Sequence, residues 1–528
     1  MKADRSRGAL RRLAAGALLA LAAVAGAQAT APMVRDAAFD RLLDQAVERY
    51  GLPGIAVGVV EDGEVAYTGV RGELAAGEGV RVDADTLFKI ASNSKAMTGA
   101  VLARLVQAGT LRWDDPVVKH LPQFRMHDPW VTRQLQVRDL LIHNSGLGLG
   151  AGDLMLWPEP NHFSRADIIA GLAHLKPVAS FRSGYAYDNL LYVVAGEVAA
   201  AAAGRPYAQL VREEIFAPLG MTRCQVGDWS PAQVGNVAQP HRRHDGGNVV
   251  GARDGARVDD FPSMAAGGIR CSLGDMLRWM RVLLDPALVP GWLDETQRRA
   301  LWTAHMPMPL SQRMRDWDNS HFSAYGYGWR LSDMDGQWKV AHTGTLSGMY
   351  SSLALLPDRG TGVVILINGE GEDARSALMQ ALLKRYTAPD PALDVHHYAE
   401  LIERERAQRR DDGHRTPDTS ARVAATPAAM RAWSGIYRDP WFGDVAICPR
   451  GAAVGFVSRK SPRMQGRVMQ LGARRLVQWD QLGEDAEAWL AFSVEDEGPV
   501  LRMDPIDPDI DFSYDYQDLH FIRVADCP

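Results

Sequence analysis

Ser92 and Lys95, in the stretch "TLFKIASNSKAMTGAVLARL", set a hydroxyl and an amine three residues apart. On a helix, positions i and i+3 share a face, so the two side chains can touch if the helix begins near Ser92. A serine there lies at the positive end of the helix dipole, beside unpaired backbone N–H groups. A lysine partly desolvated by Met97, Val101 and their neighbours holds its proton less tightly, and its neutral amine can take one from the hydroxyl. That is the chemistry of an acyl-transfer nucleophile. A serine helix cap followed by a surface lysine has the same spacing, so the pair needs company.

Two further stretches supply it. Tyr187 and Asn189 form a Y-x-N arrangement in "FRSGYAYDNLLYVVAGEV", just before an apolar helix, and His342, Thr343 and Gly344, followed by Thr345, lie on a predicted strand in "KVAHTGTLSGMYSS". Taken singly, Asn189 reads as a helix cap, Tyr187 as a core aromatic and Gly344 as a turn residue. Together, in this order and at these separations, they resemble the motifs of the serine β-lactamase and penicillin-binding-protein superfamily, in its class C β-lactamase-like and DD-carboxypeptidase-like branch. The likeness extends over about residues 40 to 370 through "DTLFKIASNSKAMTGAVLARLVQAGTLRWDDPVVKHLP", "VRDLLIHNSGL", "IFAPLGMTRC", "AAGGIRCSLGDM" and "YGYGWR". Two positions depart from the pattern: Ser183 stands where relatives often carry proline, and H-T-G replaces K-T-G.

The resemblance implies an α/β fold: a mostly antiparallel sheet flanked by helices, a helical lobe beside it, and the active site between them. It makes Ser92 the nucleophile, Lys95 the group that assists its deprotonation, and Tyr187, hydrogen-bonded to Lys95, a proton shuttle. Asn189 would bind the amide or ester side chain of the substrate, with His342, Thr343, Gly344 and Thr345 lining it. The backbone N–H groups of Ser92 and Thr345 would form the oxyanion hole. A neutral histidine in place of lysine implies weaker anchoring of a substrate carboxylate, unless a nearby arginine compensates. No metal or other cofactor is implied. The implied activity is that of a secreted serine hydrolase cleaving an ester or peptide-like amide, D-residue-containing peptides among the substrates it allows, with weak acylation or turnover of β-lactams. The competing class is a non-hydrolytic receptor or scaffold for peptidoglycan fragments or penicillin, which would have no need of an activated nucleophile.

The elements that must position these residues follow from patterning. "GIAVGVVEDGEVAYTGVRGEL" reads as a hairpin, "DNLLYVVAGEVAAAAAGRP" as a buried helix ending at Gly204, and "KVAHTGTLSGMYSSLALLPDRGTGVVILIN" as strands with tight turns. Strands at both ends with helices between predict one α/β domain over residues 36 to 388, its terminal strands sharing a sheet. Residues 389 to 427, helical and charged at first and rich in Pro, Thr and Ser later, read as a linker. Short alternating runs then predict a small β-barrel over residues 428 to 528, resembling the lipocalin-like C-terminal domain attached to some of these hydrolases.

Composition bounds the rest. The 528 residues, 46% hydrophobic, suffice for more than one core. Residues 1 to 29 combine a basic start, an apolar run from Leu13 to about Ala25 and small residues at Ala27 and Ala29, which predicts a secretory signal and a periplasmic address. Its removal takes away five basic residues and one acidic residue, moving the formal charge from −6 to −10. So acidic a chain makes a poor nucleic-acid binder, and no other stretch is apolar enough to span a bilayer. The expected partner is a small-molecule or peptide substrate; oligomeric state is left open. In an oxidising compartment Cys224 and Cys271, and separately Cys448 and Cys527, can each close a disulfide, with four isolated thiols as the alternative. His143 reads as a core or cap histidine, "HRRHD" at 241 to 245 as a solvated loop without a full zinc set, and the acidic "MDPIDPDIDFSYDYQD" lacks an EF-hand pattern.

Overall fold

The computed structural model describes residues 36–346, 348–481 and 485–528; the signal-peptide expectation lies outside them. Helix α1 (Ala37–Tyr50) starts at Asp36, whose carboxylate accepts from the N–H groups of Ala38 and Phe39. The predicted hairpin follows as strands β1 (Gly54–Glu61) and β2 (Glu64–Gly72), turning through Asp62 and Gly63, both at positive φ. The helical lobe contributes α2 (Ser94–Gln107) and α3 (Leu190–Ala203), both almost wholly buried, and α4 (Leu273–Leu284) covers one face of the sheet. The chain then returns to the sheet as β3 (Met306–Pro307), β4 (Ser323–Tyr325), β5 (Arg330–Met334), β6 (Gln337–Leu346), β7 (Met349–Leu356) and β8 (Thr361–Ile367).

The sheet runs β2-β1-β8-β7-β6-β5-β4-β3, antiparallel throughout. Its first and last long strands pair side by side, Ile55 opposite Ile367, as the sequence pattern predicts. Helices α5 (Glu372–Thr387) and α6 (Val395–Asp411) pack with α1 over the face opposite α4. The helical half of the predicted linker is therefore fixed to the α/β domain: Val395, Tyr398, Ala399 and Ile402 are buried in that layer, with the Tyr398 ring 5.1 Å from that of Trp317.

The C-terminal region is a closed barrel of eight antiparallel strands: β9 (Gly435–Asp439), β10 (Gly443–Arg450), β11 (Ala453–Ser458), β12 (Gln465–Leu471), β13 (Arg474–Trp479), β14 (Ala488–Glu495), β15 (Gly498–Pro505) and β16 (His520–Ala525). Pairing of β12 with β13 closes the ring. Both disulfides form, Cys224–Cys271 in the α/β domain and Cys448–Cys527 in the barrel, so no free thiol occurs among the described residues. No described helix is long and apolar enough to cross a membrane.

Candidate active site

Ser92 sits on a 3-10 turn (Ala91–Asn93) that leads directly into α2. The turn is pinned on both sides. Ile90 donates to the Ile269 carbonyl, and Asn93 donates to Ser351 Oγ on β7 at 2.7 Å, which in turn donates to the Ile90 carbonyl at 2.6 Å. Ala91, next to the serine, has φ of +47°, a strained setting for a residue with a Cβ and one that presents the following side chain outward.

Lys95 is fully buried one turn later. Its Nζ stands 3.0 Å from Ser92 Oγ, 2.7 Å from Asn189 Oδ1 and 2.8 Å from the Ala266 carbonyl oxygen. Both of the latter groups can only accept. An ammonium donates to all three oxygens; the neutral amine, with its two N–H bonds spent on Asn189 and Ala266, turns its lone pair to the Ser92 hydroxyl. Burial is what favours that neutral form: it lowers the Lys95 pKa to about 7, against a partial restoring pull from Asp153. The desolvating walls are the rings of Tyr187 and Tyr192, 4.9 and 5.2 Å from the nitrogen, rather than Met97 and Val101 alone.

Tyr187 differs from its expected pose. Lys95 lies over its ring, 4.9 Å from the centre, and not at its hydroxyl, which faces Ser92. Burial pushes this phenol well above its usual range, so it stays protonated. His143, at φ of +59°, packs its ring 4.3 Å from that of Tyr187 and accepts from the Asp188 N–H through Nδ1 at 3.0 Å. It is a buried packing histidine that props the tyrosine.

Two expected substrate contacts are corrected. Asn189 is 3% exposed and both ends of its amide are taken by protein: Oδ1 accepts from Lys95, and Nδ2 donates to Asp153 Oδ2 at 2.8 Å. It anchors the lysine. His342 is 1% exposed, with Nδ1 2.7 Å from the Thr343 carbonyl and Nε2 2.8 Å from Tyr325 Oη. The carbonyl can only accept, so Nδ1 carries the proton and Nε2 accepts from the tyrosine. Burial, then the positive charges of Arg330 and Lys95, keep the ring far below its usual pKa and neutral.

Thr343, Gly344 and Thr345 lie on the stretch of β6 that has lost its outer neighbour. The β5–β6 ladder stops at Arg330 opposite Ala341, so from His342 to Leu346 the strand pairs only with β7. Gly344 is required by close approach: a Cβ there would stand 2.2 Å from the Ile90 carbonyl oxygen, so the strand can lie against the nucleophile's turn only without one. Thr345 is exposed beside it, its Oγ1 accepting from Arg375 at 3.0 Å.

Arg330 was not singled out from the sequence, although it closes the quoted "YGYGWR". It begins β5, donates from Nη1 to Thr343 Oγ1 at 3.1 Å, lies 5.8 Å from the Tyr187 ring centre and keeps partial access to solvent. Only the turn between β4 and β5 brings it to the free edge, and no local motif announces that. Its place beside Thr343 supplies the positive charge that His342 lacks.

A serine hydroxyl 3.0 Å from a buried lysine whose pKa is lowered to about 7, with a protonated tyrosine and a free strand edge alongside, is an arrangement suited to a serine hydrolase. Residues 39–388 match the family described as Beta-lactamase, and the chain belongs to that family. It is 27% identical over 429 residues to the unguisins hydrolase ungD' of Aspergillus campestris, covering 78% of this chain and 77% of that protein. It is 26% identical over 343 residues to the D-alanyl-D-alanine-carboxypeptidase/endopeptidase AmpH of Escherichia coli K12, covering 62% of this chain and 82% of that protein. Among solved structures, the octameric penicillin-binding protein homologue from Pyrococcus abyssi has the same fold, with a TM-score of 0.59 at 20% identity over 88% of this chain and 97% of the other.

Proposed function

We propose that this protein works outside the cytoplasm, in the periplasm, as a hydrolase of peptide-like amides or esters that carry a free carboxylate near the scissile bond, through an acyl-enzyme on Ser92. The observation that carries the reading is the fully buried Lys95 nitrogen held 3.0 Å from Ser92 Oγ by Asn189 Oδ1 and the Ala266 carbonyl.

In this mechanism neutral Lys95 takes the Ser92 proton as Oγ attacks the carbonyl carbon, and the tetrahedral oxyanion is held by the N–H groups of Ser92 and Thr345. Tyr187, as a phenol on the same oxygen, passes a proton to the leaving amine or alcohol. Water then enters, is deprotonated along the same path, and releases the acid. Arg330 and Thr343 bind the substrate carboxylate, so His342 serves as a neutral strut and not as a charge reader. A D-configured terminal residue suits such a carboxylate anchor, and the named activity of the Escherichia coli relative supports that choice. β-Lactams, which also carry a carboxylate, are expected to acylate Ser92 and leave slowly.

The test is intact-protein mass spectrometry after exposure to D-alanyl peptides, short-chain esters and penicillins, followed by peptide mapping of the adduct. An adduct on Ser92 that turns over fastest with D-alanyl peptides supports the reading. Turnover confined to neutral esters would remove the carboxylate anchor, and an adduct elsewhere would remove the mechanism.

A further inference from the structure

The loop between β15 and β16 leaves the barrel and reaches the hydrolase domain. It is held on the barrel side by Tyr514 Oη donating to Asp485 at 3.0 Å and by fully buried Tyr516 donating to the Ala486 carbonyl at 2.7 Å. Between these anchors, buried Asp515 accepts from Gly152 N–H at 2.6 Å and from Leu154 N–H at 3.0 Å, one contact for each carboxylate oxygen. Phe512 sets its ring edge-on to Tyr187, with centres 5.6 Å apart. Gly150, at φ of +70°, lies so close that a Cβ would stand 2.6 Å from the Phe512 carbonyl oxygen.

The segment that Asp515 grips belongs to the catalytic apparatus. Gly150 N–H donates to the Tyr187 carbonyl at 2.8 Å. Asp153, between the two gripped N–H groups, accepts from Asn189 Nδ2 at 2.8 Å, and Asn189 Oδ1 holds Lys95. An unbroken line of contacts thus runs from the barrel to the nucleophile: Asp515, the backbone at Gly152 and Leu154, Asp153, Asn189, Lys95 and Ser92. The Ser513 hydroxyl also faces the Asp153 carboxyl.

We propose that Asp515 is a positioning residue for hydrolysis: by holding segment 150–154 it fixes Asp153 and Asn189 and so keeps the Lys95 nitrogen aimed at Ser92, while Phe512 walls the site over Tyr187. This rests on the reading of Ser92 and Lys95 as nucleophile and base. Without Asp515, two buried N–H groups lose their acceptors and the Ser513 hydroxyl facing Asp153 is the loop's remaining polar hold on the site. A shift of about 1 Å at the lysine is enough to cost roughly a hundredfold in rate. Water admitted as the loop withdraws would relieve the desolvation that keeps Lys95 neutral. Charged and titratable groups facing Lys95 are Asp153, Asp188, Arg330, His143, His342, Tyr187 and Tyr192; those facing Asp515 are Asp153, Asp518 and Tyr516.

The test uses the full-length chain and a small neutral ester. Asp515→Ala is expected to lower kcat by about ten- to a hundredfold with KM changed less than about threefold. The acid limb of its kcat/KM profile should move to higher pH, and Asp515→Asn, which keeps one acceptor, should recover part of both. A folded Asp515→Ala protein with unchanged kcat and acid limb would overturn the proposal. If that variant does not fold, Ser513→Ala gives the same reading more weakly: a few-fold lower kcat with the limb moved upward supports it, and no change overturns it. Stoichiometric labelling of wild-type Ser92 by a fluorophosphonate is measured in parallel. Its failure would strike the hydrolase reading itself, whereas normal labelling with an unaltered Asp515→Ala enzyme would strike only the role of the barrel.

Discussion

The two β-structures of this molecule handle their edges in opposite ways. The hydrolase sheet is open, and its ladder between β5 and β6 ends at Ala341, leaving His342 to Leu346 with a neighbour on one side only. The barrel closes β12 on β13 and leaves no such edge among its eight strands. Unpaired backbone next to Ser92 is a place where a substrate can be held or an oxyanion stabilised, so on the proposed mechanism the open sheet works at its edge. A closed barrel can act on its neighbour only through what its loops carry, and the β15–β16 loop carries Phe512, Ser513 and Asp515 to the site.

The comparison breaks most sharply if chemistry survives without the edge-side serine. Ser92→Ala is expected to lower turnover at least about a thousandfold and to abolish fluorophosphonate labelling, with the circular dichroism spectrum unchanged. Retained labelling would put the nucleophile elsewhere. Next in size is the base. Because Lys95 must be neutral to accept a proton and its pKa is lowered to about 7, wild-type kcat/KM should fall as the pH drops through about 7, where the ammonium form takes over. Lys95→Met should lose about a hundred- to ten-thousandfold and, with its titrating group gone, lose that limb as well. A wild-type profile flat from pH 5 to 8 would show that the lysine is not the base.

A smaller effect sharpens what the edge recognises. Arg330→Gln should reduce kcat/KM for a carboxylate-bearing peptide by about ten- to a hundredfold and leave a neutral ester within a few-fold, since only the charged contact is removed. Equal losses on both substrates would make Arg330 a support for Thr343 and Tyr187 and not a reader of substrate charge.

How much of this the sequence discloses depends on whether the signal is local. Ser92 and Lys95 are three residues apart, and Tyr187 precedes a helix whose apolar run ends visibly at Gly204, so both stand out in one dimension. The β1–β2 hairpin and the three strands around His342 are equally plain from alternation and turn residues. Burial is less legible: Asn189 and His342 have the right chemistry for substrate contacts, but their partners Asp153 and Tyr325 come from other segments, occupying one N–H of the Asn189 amide and, with the Thr343 carbonyl, both nitrogens of His342. The grip of Asp515 on Gly152 spans 363 residues and has no sequence signature. Strands β12, "QGRVMQL", and β15, "GPVLRMDP", carry glycine, proline and charge that mask their alternation. Helix α6 did announce itself: Val395, Tyr398, Ala399 and Ile402 follow the i, i+3, i+4, i+7 pattern of a packed face within a charged stretch.

The smallest expected effect tests the barrel's side of the comparison without touching any side chain of the site. Gly150→Ala puts a Cβ into a left-handed backbone, at about 1–2 kcal/mol, and against the Phe512 carbonyl. Gly204, at φ of +64° and ψ of +25° at the end of α3, has nothing within 4 Å of where its Cβ would stand, so Gly204→Ala imposes left-handed backbone strain with no barrel contact. If the loop's seat on segment 150–154 matters for catalysis, Gly150→Ala should lower kcat on a small ester by about three- to tenfold, which is about 0.7–1.4 kcal/mol of barrier. Gly204→Ala should leave kcat where it was, although both variants unfold at somewhat lower temperature. Equal kcat values for the two would mean that the loop can be displaced without cost to the chemistry, and the closed barrel would then be a neighbour of the open sheet and not a contributor to its active site.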